Sequence, residues 1–373
     1  MKVVLLGSAH PLRGGLASYN ERLATEFQAM GHEVIIYTFS LQYPSFLFPG
    51  TSQISDSPAP QHLNIKIKVN SINPFNWIMV GNEIKNLRPD LLIVKFWLPF
   101  MGPCFGTICR IVKWNKKTKI VSVLDNVIPH EKRFGDTLFT KYFLKPVDAF
   151  VAMSKSVKDD LFTFVTTKKC ALNPHPLFDN FGNPVSKNDA LDFLHLEKNV
   201  PYILFFGFIR DYKGLDWLLQ ACGSNTLRNA NFKLIVAGEF YSDSEKYLQL
   251  IKDLNLESKV VLKTDFIKDE EVKYYFCAAD MVVQPYKHAT QSGVTQICYH
   301  FDKPMLVTDV GGLAEIVPHM QAGYVVQPNV EDIALAIKDF YDNNRQPSFE
   351  AFVKNEKQKY AWSKMVKAIE SVM

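Results

Sequence analysis

The sequence has no paired cysteines and no cluster of metal-ligand residues. Its six cysteines are scattered, without a CxxC pair or a His-Cys group at metal-ligand spacing. Most lie in apolar segments, which favours buried free thiols in a reducing compartment. The nine histidines do not cluster and no Asp-x-Asp motif stands out. The residues therefore predict no metal ion and no other cofactor.

Long hydrophobic runs are also missing. The uncharged apolar stretch at residues 96–109 is shorter than the ~20 residues that a membrane-spanning helix needs, and it contains Pro99 and Pro103. The apolar run after Lys2 is too short for a signal peptide and ends at a glycine turn. We therefore predict a cytoplasmic protein whose membrane contact, if it has one, is peripheral and at the inner face of the plasma membrane.

Charge is divided unevenly between the two halves of the chain. Residues 1–172 carry 21 Lys and Arg against 12 Asp and Glu, whereas residues 173–373 carry 21 against 26. A basic first half suggests that this half meets an anionic partner or surface. Nucleic acid is not expected, because no recognisable binding module accompanies the cations.

At 373 residues the chain is long for one core, which favours two domains. Short buried strands alternate with helical periodicity in both halves, and this pattern is typical of doubly wound parallel sheets. We predict a first Rossmann-like domain at 1–172, a proline-rich linker at 173–199 and a second Rossmann-like domain at 200–355. A final helix is predicted at 356–373.

Three loops at predicted strand ends are candidate anion sites. The first carries Arg13, Gly14 and Gly15, although it does not match G-x-G-x-x-G, and a plain strand-helix turn is the alternative. The second carries Arg210 and Lys213, whose cations suit a diphosphate, unless they are surface charges paired with Asp211. The third, residues 290–295, forms a helix N-terminus that Thr290 and Ser292 can cap.

Several motifs occur in the order found in one enzyme family. They are FGFIRDYKG at 206–214, AGE at 237–239, SGVTQ at 292–296, KPMLVTDVGGLAEIV at 303–317, and Trp362-Ser363. With them the chain resembles the retaining GT-B glycosyltransferases that use nucleotide-sugar donors. The resemblance implies an α/β protein of GT-B fold, in which two Rossmann-like doubly wound domains face a central cleft. It also implies that the last helix packs back on the N-terminal domain.

The resemblance implies transfer, with retention, of a sugar from a UDP- or GDP-sugar without a metal ion. The acceptor would be a hydroxyl of a glycan or lipid-linked molecule, in cell-surface polysaccharide or glycolipid synthesis. Arg210 and Lys213 would hold the donor diphosphate and favour departure of the nucleotide. The other implied donor-binding residues are Gly14, Gly15, Gly238, Glu239, Gln291, Ser292, Gly293, Val294, Thr295, Gln296 and Glu315.

The chain departs from this family at two places. Phe208 stands directly after the glycine where the family often has arginine, so Arg210 would have to reach from a different position. Two glutamates separated by seven residues are common in the family around the helix that begins at residues 290–295, but here the corresponding positions hold His288 or Ala289 and Gln296 or Ile297. The amide of Gln296 can still hydrogen-bond a ribose hydroxyl.

Asp125 and His130 are the candidate catalytic residues of the first domain. Asp125 ends a predicted strand, where relatives often have a histidine near the reacting centre. Either residue can orient the acceptor hydroxyl or accept its proton. Alternatively, Asp125 caps a turn and His130 lies on the surface.

Cations and aromatic residues alternate between residues 113 and 145. This pattern fits the headgroup region of an anionic membrane, and it equally fits a solvated helix face with a buried side. Two other functions stay open besides glycosyl transfer: a nucleotide-sugar epimerase of the same fold, and a catalytically silent sugar-nucleotide-binding protein.

Overall fold

The computed structural model describes residues 1–44, 53–55, 58–129, 133–241, 243–289 and 292–373. The chain divides into two compact units. The first comprises Met1–His175 with Trp362–Met373, and the second comprises Pro176–Ala361. Two predicted site residues, His130 and Gln291, lie outside the described residues, as does the candidate cap Thr290.

The first unit contains a parallel sheet with helices on both faces. Its inner strands are runs of apolar residues buried on both sides, as expected for a parallel sheet that helices cover, whereas the two edge strands are more exposed. The strands are β1 (Lys2–Leu6), β2 (Glu33–Leu41), β3 (Asn64–Asn70), β4 (Leu91–Phe96), β5 (Lys119–Leu124), β6 (Ala149–Ala152) and β7 (Cys170–Leu172). The helices between them are α1 (Gly15–Ala29), α2 (Pro74–Leu87), α3 (Gly102–Lys113), α4 (Asp136–Leu144) and α5 (Lys155–Phe162).

The second unit repeats this architecture with a second parallel sheet. Its strands are β8 (Tyr202–Phe206), β9 (Lys233–Ala237), β10 (Val260–Lys263), β11 (Met281–Gln284), β12 (Met305–Thr308) and β13 (Gly323–Val326). Its helices are α6 (Lys187–Leu194), α7 (Leu215–Gly223), α8 (Ser244–Asp253), α9 (Val272–Ala278), α10 (Gly293–His300), α11 (Leu313–Ile316), α12 (Val330–Asp342) and α13 (Gln346–Glu356).

The strand order of each sheet contains one reversal of winding direction. The first sheet has the order β3-β2-β1-β4-β5-β6-β7, and the second has β10-β9-β8-β11-β12-β13. Chain winding therefore reverses between β1 and β4 and between β8 and β11. In open parallel sheets, ligands bind outside the carboxyl ends of the strands at such switch points.

The end of the chain differs from the predicted single helix at 356–373. The last helix, α14, spans Trp362–Ser371, and a short 3-10 turn with an extended residue at Ala361 separates it from α13. Trp362, Met365 and Ile369 are buried with Tyr19 of α1 in the core of the first unit. The apolar spacing predicted this buried side, but it could not separate two helices joined by a turn.

Residues 173–199, predicted as a linker without regular structure, contain the helix α6. The Ser186 side chain accepts a hydrogen bond from the Asp189 backbone N–H and caps this helix. Ala190, Leu191 and Leu194 are buried in the core of the second unit. Eight residues are too few to reveal helical periodicity among polar neighbours. In the part of the chain that the structure describes, no helix is long and apolar enough to cross a membrane.

Candidate functional site

The predicted cation loop and the N-terminus of α10 lie at the switch point of the second unit. Residues 207–214 follow β8 and residues 285–292 follow β11, and these two strands are hydrogen-bonded neighbours. The structure therefore brings together Arg210, Lys213 and the first turn of α10, which the sequence could only assign to separate loops.

Lys213 lies beside Gly207 and close to the start of α10. A Cβ atom added to Gly207 would lie 2.9 Å from the Lys213 Nζ and 4.0 Å from the Val294 side chain. Gly207 also has a φ of +97°, which disfavours any other residue. Gly214 ends the loop with a φ of +72°, directly against the carbonyl oxygen of Pro285. Gly207 and Gly214 therefore allow the Lys213 side chain to pack closely against the backbone at this edge of the sheet.

The two cations of this loop have no carboxylate partner among the described residues. Asp211, the alternative partner, instead accepts hydrogen bonds from Tyr247 Oη at 2.9 Å and Lys246 Nζ at 3.2 Å. These bonds, that from Tyr247 first, lower the pKa of Asp211. The alternative interpretation, in which Arg210 and Lys213 are surface charges paired with Asp211, is therefore wrong.

Loss of water around Lys213 and, second, the nearby positive charge of Arg210 together lower the pKa of Lys213 to about 8. The Lys213 Nζ lies 5.6 Å from the centre of the Tyr286 ring. Two cations held together in a partly dehydrated place favour a bound dianion, because an anion would relieve their mutual repulsion.

Arg210 is held by aromatic contacts that the sequence did not reveal. Its guanidinium carbon lies 5.2 Å from the centre of the Tyr241 ring. Phe208, at the position where relatives often have arginine, packs its ring 4.4 Å from the same tyrosine. The Tyr241 ring thus positions the displaced arginine next to Lys213.

The N-terminus of α10 is capped as predicted by Ser292. Its Oγ accepts a hydrogen bond from the Val294 N–H at 3.2 Å and lies 3.3 Å from Tyr286 Oη. Thr295 Oγ1 donates to the Ser292 carbonyl at 2.6 Å. Gly293 packs so tightly on Phe178 that an added Cβ would lie 2.7 Å from that ring. This glycine therefore has a packing reason beyond any approach by a ligand.

Three polar side chains near this edge have buried atoms without a hydrogen-bond partner among the described residues. Both amide atoms of Gln296 and both of Gln284 are unpaired, as is one carboxylate oxygen of Glu239. Gln296 is fully buried in α10, and Gln284 is the last residue of β11. Buried polar atoms normally have partners, so these atoms indicate a site for water or for a polar ligand.

Gly238 and Glu239 lie directly against the cation loop. The Ile209 N–H donates to the Glu239 carbonyl at 2.8 Å, and the Gly207 N–H donates to Ala237 at 2.9 Å. Gly238 has a φ of +131°, and an added Cβ would lie 2.5 Å from the Gly207 carbonyl oxygen. Glu315, by contrast, is exposed on the short helix α11 after β12.

In the first unit, Gly14 and Gly15 lie where β1 leads into α1. Gly14 is the N-cap residue of α1 and has a φ of +101°, with open space around the position of an added Cβ. Gly15 is exposed in the first turn. The left-handed backbone conformation is enough to explain why residue 14 is a glycine. The open space beside it also leaves room for a ligand.

Asp125 forms a buried ion pair that the sequence did not predict. Its Oδ1 lies 2.9 Å from the Nζ of Lys95, whose side chain is only 3% exposed. The same Nζ lies 3.3 Å from the centre of the Tyr19 ring. Asp125 therefore neither simply caps a turn nor stands free at the strand end.

Lys95 lies in β4, next to the switch point of the first sheet. Burial lowers its pKa, while Asp125 acts in the opposite direction. The Tyr19 hydroxyl is buried without a hydrogen-bond partner among the described residues, and burial, followed by the charge of Asp125, raises its pKa. The arrangement holds a carboxylate in a fixed orientation at the carboxyl edge of this sheet.

No group of three His, Cys, Asp or Glu side chains that could hold a metal ion occurs in the described ranges of the chain. All six cysteines are free, and all but the half-buried Cys170 are buried.

Two protein-family models match the chain, one in each unit. The model described as Glycosyltransferase Family 4 matches residues 13–175, and the model described as Glycosyl transferases group 1 matches residues 200–343. Each unit therefore carries a glycosyltransferase family domain. One relative is an uncharacterized glycosyltransferase, MJ1607, of Methanocaldococcus jannaschii. It is 24% identical over 98% of this chain and 96% of its own length.

Solved structures agree with this assignment at the level of the fold. The chain is similar to sucrose-phosphate synthase of Thermosynechococcus elongatus, with a TM-score of 0.74 at 17% identity, covering 100% of this chain and 98% of that one. It is also similar to HepE of Anabaena in complex with UDP, with a TM-score of 0.75 at 14% identity, covering 100% and 99%. The protein is a glycosyltransferase of GT-B fold.

Proposed function

We propose that the protein transfers a sugar, with retention of configuration, from a UDP- or GDP-sugar to a hydroxyl of a glycan or lipid-linked acceptor. The reaction would serve the synthesis of cell-surface polysaccharide or glycolipid. The observation that carries this proposal is the pair of cations, Arg210 and Lys213, without a carboxylate partner among the described residues, at the switch point beside the start of α10.

The chemistry follows from where negative charge develops. As the glycosidic bond to the diphosphate breaks, charge accumulates on the leaving phosphate oxygens. Arg210 offers a planar fork of donors, Lys213 offers a point charge, and the first turn of α10 adds backbone N–H groups. Groups already arranged for that charge stabilise the transition state without reorganising, which is the role that a metal ion has in other transferases.

Asp125 is the proposed acceptor-orienting residue. Because Lys95 holds one of its carboxylate oxygens, the other can accept a hydrogen bond from the attacking hydroxyl in a fixed direction. The choice of nucleotide-sugar donor is supported by relatives of the same fold, since HepE of Anabaena has been solved with UDP and with UDP-glucose.

A panel of UDP- and GDP-sugars tests the proposal. At least one donor should raise the melting temperature of the protein and release its nucleotide, by slow hydrolysis or by transfer to an added glycan or lipid-linked acceptor. Conversion of the donor into an isomer without nucleotide release would support the epimerase alternative. Binding followed by neither reaction would support the silent binding protein, and absence of binding to every donor would refute all three.

Replacing Gln296 by Leu should raise the KM for the donor roughly 10-fold, because a donor hydroxyl would lose its partner at a buried position. Steady-state nucleotide release gives this value, and the Gln296→Glu variant should keep a KM nearer to wild type because a carboxylate also accepts a hydrogen bond. If Gln296 pairs only with buried water, the leucine variant will change the melting temperature and leave the KM as it was.

A further inference from the structure

The helices α2, α3 and α4 form one closely packed layer on a single face of the first sheet. Glycines allow the close approach: an added Cβ at Gly81 would lie 3.0 Å from Ile111, and one at Gly106 would lie 2.6 Å from the Tyr142 ring. The inner sides of the three helices share one buried core cluster with the sheet. Their outer sides therefore form one continuous surface.

This surface carries the most exposed apolar side chains of the described residues. Five large apolar side chains are at least 67% exposed: Phe75, Met79, Trp114, Phe134 and Leu138. Phe75 and Leu138 lie in the first turns of α2 and α4, Phe134 lies two residues before α4, and Met79 lies in the second turn of α2. Such side chains are normally scattered singly over a protein surface, so this concentration indicates an interaction surface.

Topology places the two apolar helix ends at the same edge. Each of α2 and α4 leads from the carboxyl end of one parallel strand to the amino end of the next, so both begin at the carboxyl edge of the sheet. The Asp125 carboxylate ends β5 at that edge. An apolar surface at the same edge as Asp125, the residue proposed to orient the acceptor hydroxyl, suits an acceptor that is attached to a lipid.

Two cations follow the apolar residues along α4. Lys141 in α4 and Lys145 directly after it are exposed, and neither has an ion-pair partner among the described residues. At 1.5 Å per residue, Lys145 lies roughly 10 Å along the helix axis from Leu138. This distance would allow the apolar side chains to reach the acyl boundary of a bilayer while the cations stay at the level of the lipid phosphates.

The wider segment has the same sign of charge. Residues 72–148 contain twelve Lys and Arg against six Asp and Glu. Some cations of this region are engaged internally, since Lys113 pairs with Asp148 at 2.6 Å and Lys117 pairs with Asp90 at 2.8 Å. The cations available to a partner are therefore fewer than the sequence suggested, and Lys141 and Lys145 are the best placed.

We propose that the N-terminal ends of α2 and α4 insert into the interface of an anionic bilayer, with Lys141 and Lys145 on the lipid phosphates. This docking surface deepens the proposed function by giving a lipid-linked acceptor a route to Asp125. Vesicle binding can be measured without donor or acceptor, so it fails or succeeds independently of the glycosyl transfer.

Sedimentation with vesicles of phosphatidylcholine containing about 30% phosphatidylglycerol tests the proposal. The wild-type chain should bind these vesicles at about 0.05 M NaCl, bind pure phosphatidylcholine much less, and be released at about 0.5 M NaCl. The K141E/K145E variant should bind roughly 30-fold more weakly, and the F134S/L138S variant at least roughly 10-fold more weakly.

Matched changes on the second unit serve as controls. Leu335 is 51% exposed and Lys252 is exposed, and L335S and K252E should bind vesicles as the wild type does. Far-UV circular dichroism verifies that each variant is folded. A wild-type chain that stays in the supernatant at low salt overturns the proposal, as does equal binding by a folded F134S/L138S variant.

Discussion

Replacing Lys213 by Ala is expected to lower kcat/KM for the sugar donor by about 100-fold or more, because the leaving diphosphate loses a charge arranged for its transition state. The Lys213 amino group lies beside Gly207 and the start of α10. Arg210 is the one other described cation of this loop that lies close to it. The measurement is steady-state nucleotide release with the donor that the panel identifies.

The same lysine predicts the pH dependence. Since burial and the charge of Arg210 lower the pKa of Lys213 to about 8, the free enzyme loses this positive charge as the pH rises through that value. The value of kcat/KM, which reports the free enzyme, should therefore be constant below pH 8 and fall above it. Lys213→Arg should remove this alkaline limb, because arginine stays protonated.

Lys246 offers the matched control for this experiment. It is also a cation near the loop, but it is exposed and pairs with Asp211. Lys246→Ala should change kcat/KM by less than about twofold. An alanine variant of Lys213 with the kcat/KM of the wild type would remove Lys213 from the mechanism, and an unchanged alkaline limb in Lys213→Arg would assign the titration to another group.

The second large effect concerns stability. Asp125→Asn should lower the free energy of unfolding by about 3 kcal/mol, because the buried Lys95 charge loses the one carboxylate partner that it has among the described residues. Without Asp125, burial acts alone on Lys95 and lowers its pKa further. The protonated lysine is then disfavoured in the folded state, so the destabilisation should be largest at low pH and diminish as the pH rises. Urea unfolding at several pH values measures this difference.

A double variant separates the structural role of the pair from its catalytic role. Replacing Lys95 by Met and Asp125 by Leu removes both charges, and the stability should return close to that of the wild type. Transfer to the acceptor should stay low, since no carboxylate remains to orient the hydroxyl. A double variant that transfers sugar as the wild type does would show that the pair has no part in the reaction.

Much of the fold could be predicted from local patterns. Short apolar runs alternating with helical periodicity predicted a parallel sheet in each unit, and Ser292 capping α10 follows from the residue type before the helix. The cations Arg210 and Lys213 were found because their loop follows an apolar strand. Their proximity to α10 arises because β8 and β11 are neighbours in the sheet, and a local sequence pattern does not reveal which strands are neighbours.

Other features depend on contacts between distant residues. Lys95 in LLIVKF looks like one polar interruption of a strand, and only the neighbouring β5 provides its partner Asp125. Gln284 is similarly a single polar residue at a strand end. Aromatic support for Arg210 comes from Tyr241, a residue outside every motif. Pairings of this kind appear only when the strand order is known.

The position of α14 has a consequence for how the protein is made. Trp362, Met365 and Ile369 complete the core of the first unit, although they follow the whole second unit in the sequence. Domains usually finish folding in order of synthesis, N-terminal first. Here all residues of the second unit, 176–361, are synthesised before the last core residues of the first unit. The first unit can complete its core only after residue 369 has been synthesised. A nascent chain halted before Trp362 would therefore present an apolar surface to chaperones.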